Sequence, residues 1–84
     1  EEWSDIRGPN DAVVDQNDIM FIAEGVGSVL ITTLKGDIID RWGKRGQNEG
    51  DFRGFPHGIW LDNQGDLYVA EVGEIHAIQK FARI

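Results

Sequence analysis

His57 and Glu71 carry side chains that proteins use to bind metal ions. His57 stands between a proline and a glycine, ahead of a short apolar run, and Glu71 ends the next apolar run. A neutral imidazole and a carboxylate are good ligands for zinc, and carboxylate oxygens also bind calcium. The two residues are therefore candidate ligands for zinc or calcium. The alternative is that the histidine only marks the start of a β-strand.

The acidic segment Asp62–Asp66 has the residue types of a calcium-binding loop. It lacks the downstream bidentate glutamate at the required spacing, and it lies between two predicted strands rather than two helices. The sequence predicts a tight turn instead, in which Asp62 accepts hydrogen bonds from backbone amides and Gly65 adopts a positive φ. The same prediction applies to Asp15.

Basic residues cluster around the connection 43–54, where Arg45 and Arg53 are candidates for binding a ligand carboxylate. Loops at the rim of a rigid scaffold commonly carry binding specificity. A solvated polar loop is the favoured alternative. The sequence contains no Ser-His-Asp arrangement, no phosphate-binding loop and no glycine-rich dinucleotide motif.

An internal repeat determines how these residues are positioned. Residues 9–24 align without gaps with residues 56–71, and apolar positions between the identities match in class. The identical positions are Pro9/Pro56, Asp15/Asp62, Ala23/Ala70 and Glu24/Glu71. A repeat of this period indicates a repeat architecture, which has to be established before any single motif is interpreted.

Each repeat predicts a series of short strands joined by tight turns. In the first repeat the strands are Ala12–Val14, Ile19–Ala23, Ser28–Thr33 and Asp37–Trp42, and in the second they are Ile59–Leu61, Leu67–Ala70 and Ala77–Phe81. Four strands in just over forty residues have the size of one antiparallel propeller blade. The sequence therefore predicts an all-β fold of two four-stranded antiparallel blades within a single unit, 1–84. The first blade covers about 8–43 and the second about 55–84.

The segment Pro56–Phe81 resembles an NHL repeat, and the whole chain is similar to two NHL-type blades. The likeness is strong in the second repeat and weaker in the first, where Asn10-Asp11 stands in place of His57-Gly58. The resemblance implies one third of a six-bladed β-propeller, of the kind found in bacterial proteins similar to peptidyl-hydroxyglycine amidating lyase. The resemblance to those lyases also implies a zinc ion at the axis, held by three histidines from separate blades.

Two blades alone leave large apolar faces uncovered, so the ring has to be closed by further blades. Three copies form a six-bladed ring with threefold symmetry, and we expect such a homotrimer or, alternatively, a longer propeller of which the chain is a fragment. The outer strand of the second blade is expected from residues 1–7, supplied by the same chain or by a neighbour. A trimer brings three copies of His57 around one axis, with three copies of Asn10 between them as candidate ligand-binding residues.

The repeat makes Glu24 a second candidate carboxylate, equivalent to Glu71. Its functional role is expected in a ring of carboxylates that binds a cation or acts as a general base. Its structural alternative is a solvated residue, or an acceptor for backbone amides of the next blade. The structural alternative is favoured because a feature that both repeats share is usually structural.

Length and charge limit the function classes. The chain has 84 residues, no cysteine and a formal net charge of −7. A domain this small is marginally stable alone, and disulfides and thiolate metal sites are excluded. Because an acidic surface repels phosphate backbones and no apolar run spans a bilayer, the expected partners include neither nucleic acid nor membrane.

Three functions remain open. The first is a propeller module that forms a ring by self-assembly and binds a small ligand or partner at the channel mouth. The second is a metal-dependent lyase or lactone hydrolase with an axial histidine site. The third is a fragment of a longer propeller without independent activity. The first is favoured because no catalytic set is complete in one chain.

Overall fold

Alternating apolar residues and tight turns form seven β-strands in the computed structural model, which describes residues 3, 5–73 and 76–82. The first sheet consists of β1 (Pro9–Val14), β2 (Ile19–Glu24), β3 (Ser28–Thr33) and β4 (Ile38–Trp42). The second consists of β5 (Phe55–Leu61), β6 (Leu67–Val72) and β7 (Ala77–Phe81). Both are antiparallel meanders with the strands in chain order. The described part of the chain contains no helix, and so none that is long and apolar enough to span a membrane.

The turns that follow β1 and β5 have the predicted geometry. One oxygen of Asp15 accepts hydrogen bonds from the amides two and four residues later, at 2.8 and 3.0 Å. One oxygen of Asp62 does the same at 2.9 and 3.0 Å. Asp18 and Gly65 take the left-handed conformation at equivalent places, with φ of 62° and 84°. The turn prediction is confirmed, and the small side chain of aspartate tolerates the conformation that glycine adopts without strain.

Both sheets have a β-bulge at the same place in their first strand. The pairing of β1 with β2 shifts between Pro9 and Asp11, and that of β5 with β6 shifts between Pro56 and Gly58. A bulge leaves one residue without a partner across the ladder and bends the strand. Asn10 and His57 are these unpaired residues. The repeat seen in the sequence is therefore also a repeat of backbone irregularities.

The two sheets pack face to face, with β5 lying against β1 and β2. The buried side chains between them are Ala23, Val29, Phe52, Ile59, Leu67 and Val69. Half-buried aromatic rings extend this core, with the Trp42 ring centroid 4.8 Å from that of Phe81 and 6.2 Å from that of Phe52. Full burial of one such large apolar side chain contributes about 1.5–3 kcal/mol. The interface between the sheets is the apolar core of the chain.

The four-stranded prediction is confirmed for the first sheet, whereas the second sheet has three strands among the described residues. The fourth strand of the second sheet stays a prediction. The described residues ahead of β1 contact the first sheet: the Trp3 ring lies against Gly36, and the Asp5 carbonyl accepts a hydrogen bond from Arg41. Pairing of 1–7 with a second sheet, in the same chain or a neighbour, is not tested by these contacts.

Candidate functional site

Glu24 ends β2 with a fully buried side chain surrounded by donors. Its Oε1 accepts from the Ser28 hydroxyl and from Arg41 Nε, both at 2.7 Å. Its Oε2 accepts from the Arg7 amide at 2.7 Å and from Arg41 Nη2 at 3.1 Å. This is a two-pronged arginine–carboxylate pair, the geometry that makes charge-assisted hydrogen bonds strong.

The donors around Glu24 set its ionisation. Burial raises the pKa of this carboxyl group. The hydrogen bonds from Arg41, the Arg7 amide and Ser28, together with the charge of Arg41, lower the pKa by a larger amount. The net result is a pKa below the ordinary value of 4.5. The same hydrogen bond raises the pKa of Arg41, because it stabilises the charged guanidinium. The pair is therefore ionised at neutral pH.

Glu71 occupies the equivalent place at the end of the central strand of the second sheet and is 3% exposed. Its Oε1 accepts from the amides of Arg53 and Gly54, at 2.7 and 3.1 Å. Its Oε2 accepts from Gln79 Nε2 at 3.0 Å. Among the described residues, no cationic side chain bonds Glu71 as Arg41 bonds Glu24.

Each glutamate accepts hydrogen bonds from backbone amides of the segment that precedes the first strand of its own sheet. Glu24 bonds the Arg7 amide ahead of β1, and Glu71 bonds the Arg53 and Gly54 amides ahead of β5. The structural alternative of the sequence analysis, an acceptor of backbone amides, describes both residues. The sequence predicted amides of the next blade as the donors, and this detail is wrong, because the donors lie just ahead of the first strand of the same sheet. Cation binding by Glu24 or Glu71 stays a prediction.

Asn10 connects the two sheets. Its Nδ2 donates to the Pro56 carbonyl at 2.7 Å, and beside it the Ile59 amide donates to Asp11 Oδ2 at 3.0 Å. Both bonds join the bulged ends of β1 and β5. The structure thus places the candidate ligand-binding residue Asn10 in a polar contact between sheets, and its role toward a ligand stays a prediction.

His57 stands at the bulge of β5 with an exposed side chain. Its ring has no hydrogen-bond partner among the described residues, and the neighbouring Glu71 carboxylate is buried and bonded elsewhere. Within the described ranges no three His, Cys, Asp or Glu side chains come close enough to hold a metal ion. The described residues of one chain thus do not form the three-histidine site that the resemblance implies, and metal binding by His57 stays a prediction.

Arg45 and Arg53 lie at the same end of the molecule. The Arg45 guanidinium stacks 4.1 Å above the centroid of the Phe55 ring and donates to the Arg53 carbonyl at 3.0 Å. The aliphatic stem of Arg45 fills the space beside Gly27, where an added Cβ would come within 2.7 Å of Arg45 Cγ. Arg45 thus anchors the connection between the sheets, whereas the Arg53 side chain is exposed.

A cleft of about 910 Å³ opens between the sheets at the opposite end. Its lining joins apolar residues of both sheets with polar turn residues, including Phe21, Trp42, Leu61, Phe81, Asp15 and Asp62. Burial raises the pKa of Asp62, but the Tyr68 hydroxyl (2.9 Å), two backbone amides and Lys80 lower it overall. Sequence analysis missed this cleft because no local signal marks where two sheets diverge.

No protein-family model matches the chain, and no curated protein matches it either.

Proposed function

We propose that the chain is a two-blade module of an NHL-type β-propeller, which closes a six-bladed ring with copies of itself and binds a small ligand or partner at the channel mouth. The observation that carries the proposal is the packing of two equivalent sheets. Both have the bulged first strand and the buried glutamate at matching positions, and their first strands lie side by side. Blades of a propeller repeat this relation around an axis.

A ring requires that the second sheet of one copy pack on the first sheet of the next copy in the way the two sheets of one chain pack together. The contact is heterologous, because one face of the first sheet meets the opposite, non-equivalent face of the second. Such a contact closes into a ring when the rotation per step divides the circle. Three copies with two sheets each provide six blades, the number that the resemblance implies.

The ligand is proposed to bind where the bulged ends of β1 and β5 meet. The exposed side chains of His57 and Arg53 lie at this end, which the connection 43–54 borders. An imidazole and a guanidinium that converge from three copies would suit a ligand bearing a carboxylate or another anionic group. Rigid strands and a rim loop are a common setting for binding sites.

Small-angle X-ray scattering over a dilution series tests the assembly. The chain has a Cα radius of gyration of 12.2 Å, and a compact particle of three copies has one of about 18 Å. We expect the larger value, with a decrease toward the smaller one on dilution. A folded particle that stays near 12 Å at all concentrations would contradict self-assembly and would favour a fragment of a longer propeller.

A metal-dependent lyase or lactone hydrolase is a second candidate, which the unpaired, exposed ring of His57 favours. Three copies of His57 around one axis would leave an open coordination position for water. The test is metal analysis of the assembled protein after addition of zinc and removal of the excess. About one zinc per three chains, lost in His57→Ala but retained in His76→Ala, supports this function, and no stoichiometric zinc contradicts it.

A further inference from the structure

The second sheet exposes an aromatic surface on the side that faces away from the first sheet. The Trp60 and Tyr68 rings stack with centroids 5.4 Å apart and planes 4° from parallel, and Trp60 is 41% exposed. Ile78 beside them is 64% exposed. We refer to Trp60, Tyr68 and Ile78 as the aromatic face. Contiguous exposed apolar surface of this kind usually marks an interaction site.

The equivalent surface of the first sheet is covered. By the repeat and the strand register, Val13 corresponds to Trp60, Phe21 to Tyr68 and Val29 to Ile78. These three residues belong to the core between the sheets. Val29 is fully buried where Ile78 is 64% exposed, and Val13 is half-buried where Trp60 is 41% exposed, whereas Phe21 and Tyr68 are both half-buried.

The second sheet covers that surface with Ile59, Leu61 and Leu67. Their counterparts on the first sheet are Ala12, Val14 and Met20, which form what we call the open face. Ala12 is exposed, Val14 is 45% exposed and Met20 is half-buried. Ile22 and Leu30 on the same side of the sheet are already buried within the chain, so the open face is the part of this side that stays uncovered. The aromatic face and the open face are thus the exposed counterparts of residues that meet in the internal interface.

We propose that the aromatic face docks on the open face of a second copy, and that His57 donates a ring N–H to the Pro9 carbonyl of that copy. His57 then does between chains what Asn10 does within one, since Asn10 Nδ2 donates to the Pro56 carbonyl at 2.7 Å. The inference rests on the proposed ring and names the partner as the chain itself. A histidine that donates one ring nitrogen to a carbonyl keeps the other for a ligand.

The contact between chains has one polar bond fewer than the contact within a chain. Gly58 stands where the first sheet has Asp11, so no carboxylate reaches the Ala12 amide of the neighbour. That amide is already bonded at 2.9 Å to Asp11 of its own chain. The Ala12 amide therefore keeps a hydrogen-bond partner in the interface between chains. Compared with the internal interface, this one depends more on apolar packing and on the His57 hydrogen bond.

A mixed disulfide experiment tests the register directly, because the natural chain has no cysteine. In the internal interface, the carboxylate at the position of Gly58 lies 3.0 Å from the amide at the position of Ala12. A Cβ on Gly58 makes only ordinary contact, 3.6 Å from Ala70. We expect Gly58→Cys and Ala12→Cys proteins to form a disulfide-linked heterodimer when mixed and oxidised.

The double variant G58C/A12C distinguishes a closed ring from an open chain. We expect oxidation to give a band at three times 9.4 kDa on a non-reducing gel. The matched control combines Ala12→Cys with Val26→Cys, at a 56% exposed turn position outside both faces, and should remain uncrosslinked. Crosslinking of the control as efficiently as G58C/A12C would overturn the proposal.

Variants of the polar and apolar contacts test His57 and the aromatic face separately. We expect His57→Ala to weaken association about two- to tenfold per interface, and His57→Asn to restore it, since asparagine makes this bond in the first sheet. Trp60→Lys should abolish the assembly, whereas Val26→Lys, with the same change in charge, should leave it intact. Circular dichroism establishes that each variant is folded.

The outcomes separate the docking geometry from the proposed function. If the protein forms a trimer, but G58C/A12C does not crosslink and Trp60→Lys still assembles, the docking geometry is wrong and the ring stands. If the natural chain remains at 9.4 kDa, both are wrong and the aromatic face has a different partner.

Discussion

Replacement of Glu24 by glutamine should destabilise the protein far more than the same replacement of Glu71, although the repeat makes the two positions equivalent. Both side chains are buried, and glutamine has nearly the same volume as glutamate. The difference lies in their partners. Glu24 faces the cation Arg41 with both oxygens, whereas Glu71 accepts from two backbone amides and the neutral amide of Gln79.

The expected free energies follow from these partners. In Glu24→Gln, an NH₂ group replaces one oxygen and faces an N–H donor of Arg41 on either side, and Arg41 loses its counter-charge. Hydrogen bonds to charged groups contribute about 1.5–3 kcal/mol each. Because the Arg41 side chain is 21% exposed and water replaces part of the loss, we expect a cost of about 2–3 kcal/mol.

Glu71→Gln can keep its hydrogen bonds to the backbone, because the remaining oxygen can accept from the Arg53 and Gly54 amides. Its new NH₂ group faces Gln79 Nε2, and rotation of the Gln79 amide by 180° would give up the 2.8 Å hydrogen bond from Nε2 to the Asp51 carbonyl. We expect a cost of about 1 kcal/mol, the net value of the one neutral hydrogen bond that is lost. With an m-value of about 1 kcal/mol per molar urea, the midpoints of the two variants differ by about 1–2 M.

Urea unfolding at pH 7 and one fixed protein concentration measures the difference, because assembly makes stability depend on concentration. The pH dependence provides a second check. The folded-state pKa of Glu24 is below 4.5, so its stabilising contribution is complete above pH 4.5 and is lost as the pH falls through the folded-state value. The stability of natural protein and Glu24→Gln should therefore converge below pH 4.5. Equal costs of the two glutamine variants at pH 7 would show that the charge of Arg41 does not distinguish the two glutamates.

Two further substitutions test contacts between the sheets and in their connection. Asn10→Ala removes the 2.7 Å bond to the Pro56 carbonyl and should cost about 1 kcal/mol, whereas Asn17→Ala at an exposed turn position should change stability by less than about 0.5 kcal/mol. Gly43→Ala and Gly50→Ala both place alanine at a positive φ (95° and 84°), but only at Gly43 would the new Cβ lie 2.6 Å from the ring of Phe52. Thermal unfolding should find Gly43→Ala less stable than Gly50→Ala by about 1–3 kcal/mol, and equal midpoints would contradict this packing.

The strands and turns could be predicted from the sequence because their signals are local. Alternation of apolar residues and the spacing from Asp62 to Gly65 predict strand, turn and strand without knowledge of distant residues. The starts of β1 and β5 were predicted three and four residues late, since each strand opens with a proline in its first two residues, ahead of a bulge. A bulge is a property of the pairing between strands, which a single segment does not reveal.

The partners of the candidate site residues could not be predicted, because they come from distant parts of the chain. Arg41 reaches Glu24 from β4, and the Pro56 carbonyl lies in a different sheet from Asn10. The sequence indicated that Glu24 and Glu71 are equivalent. It did not indicate that one has a cationic partner and the other an amide, since that depends on which side chain each outer strand presents.

Native mass spectrometry of the unmodified protein counts the chains in each assembled particle and so distinguishes a closed ring from every other assembly. The proposed ring predicts a dominant species at three times 9.4 kDa, with no series of larger open assemblies as the concentration rises. A species at 9.4 kDa at every concentration, or a ladder of unlimited size, would contradict a ring closed by three copies.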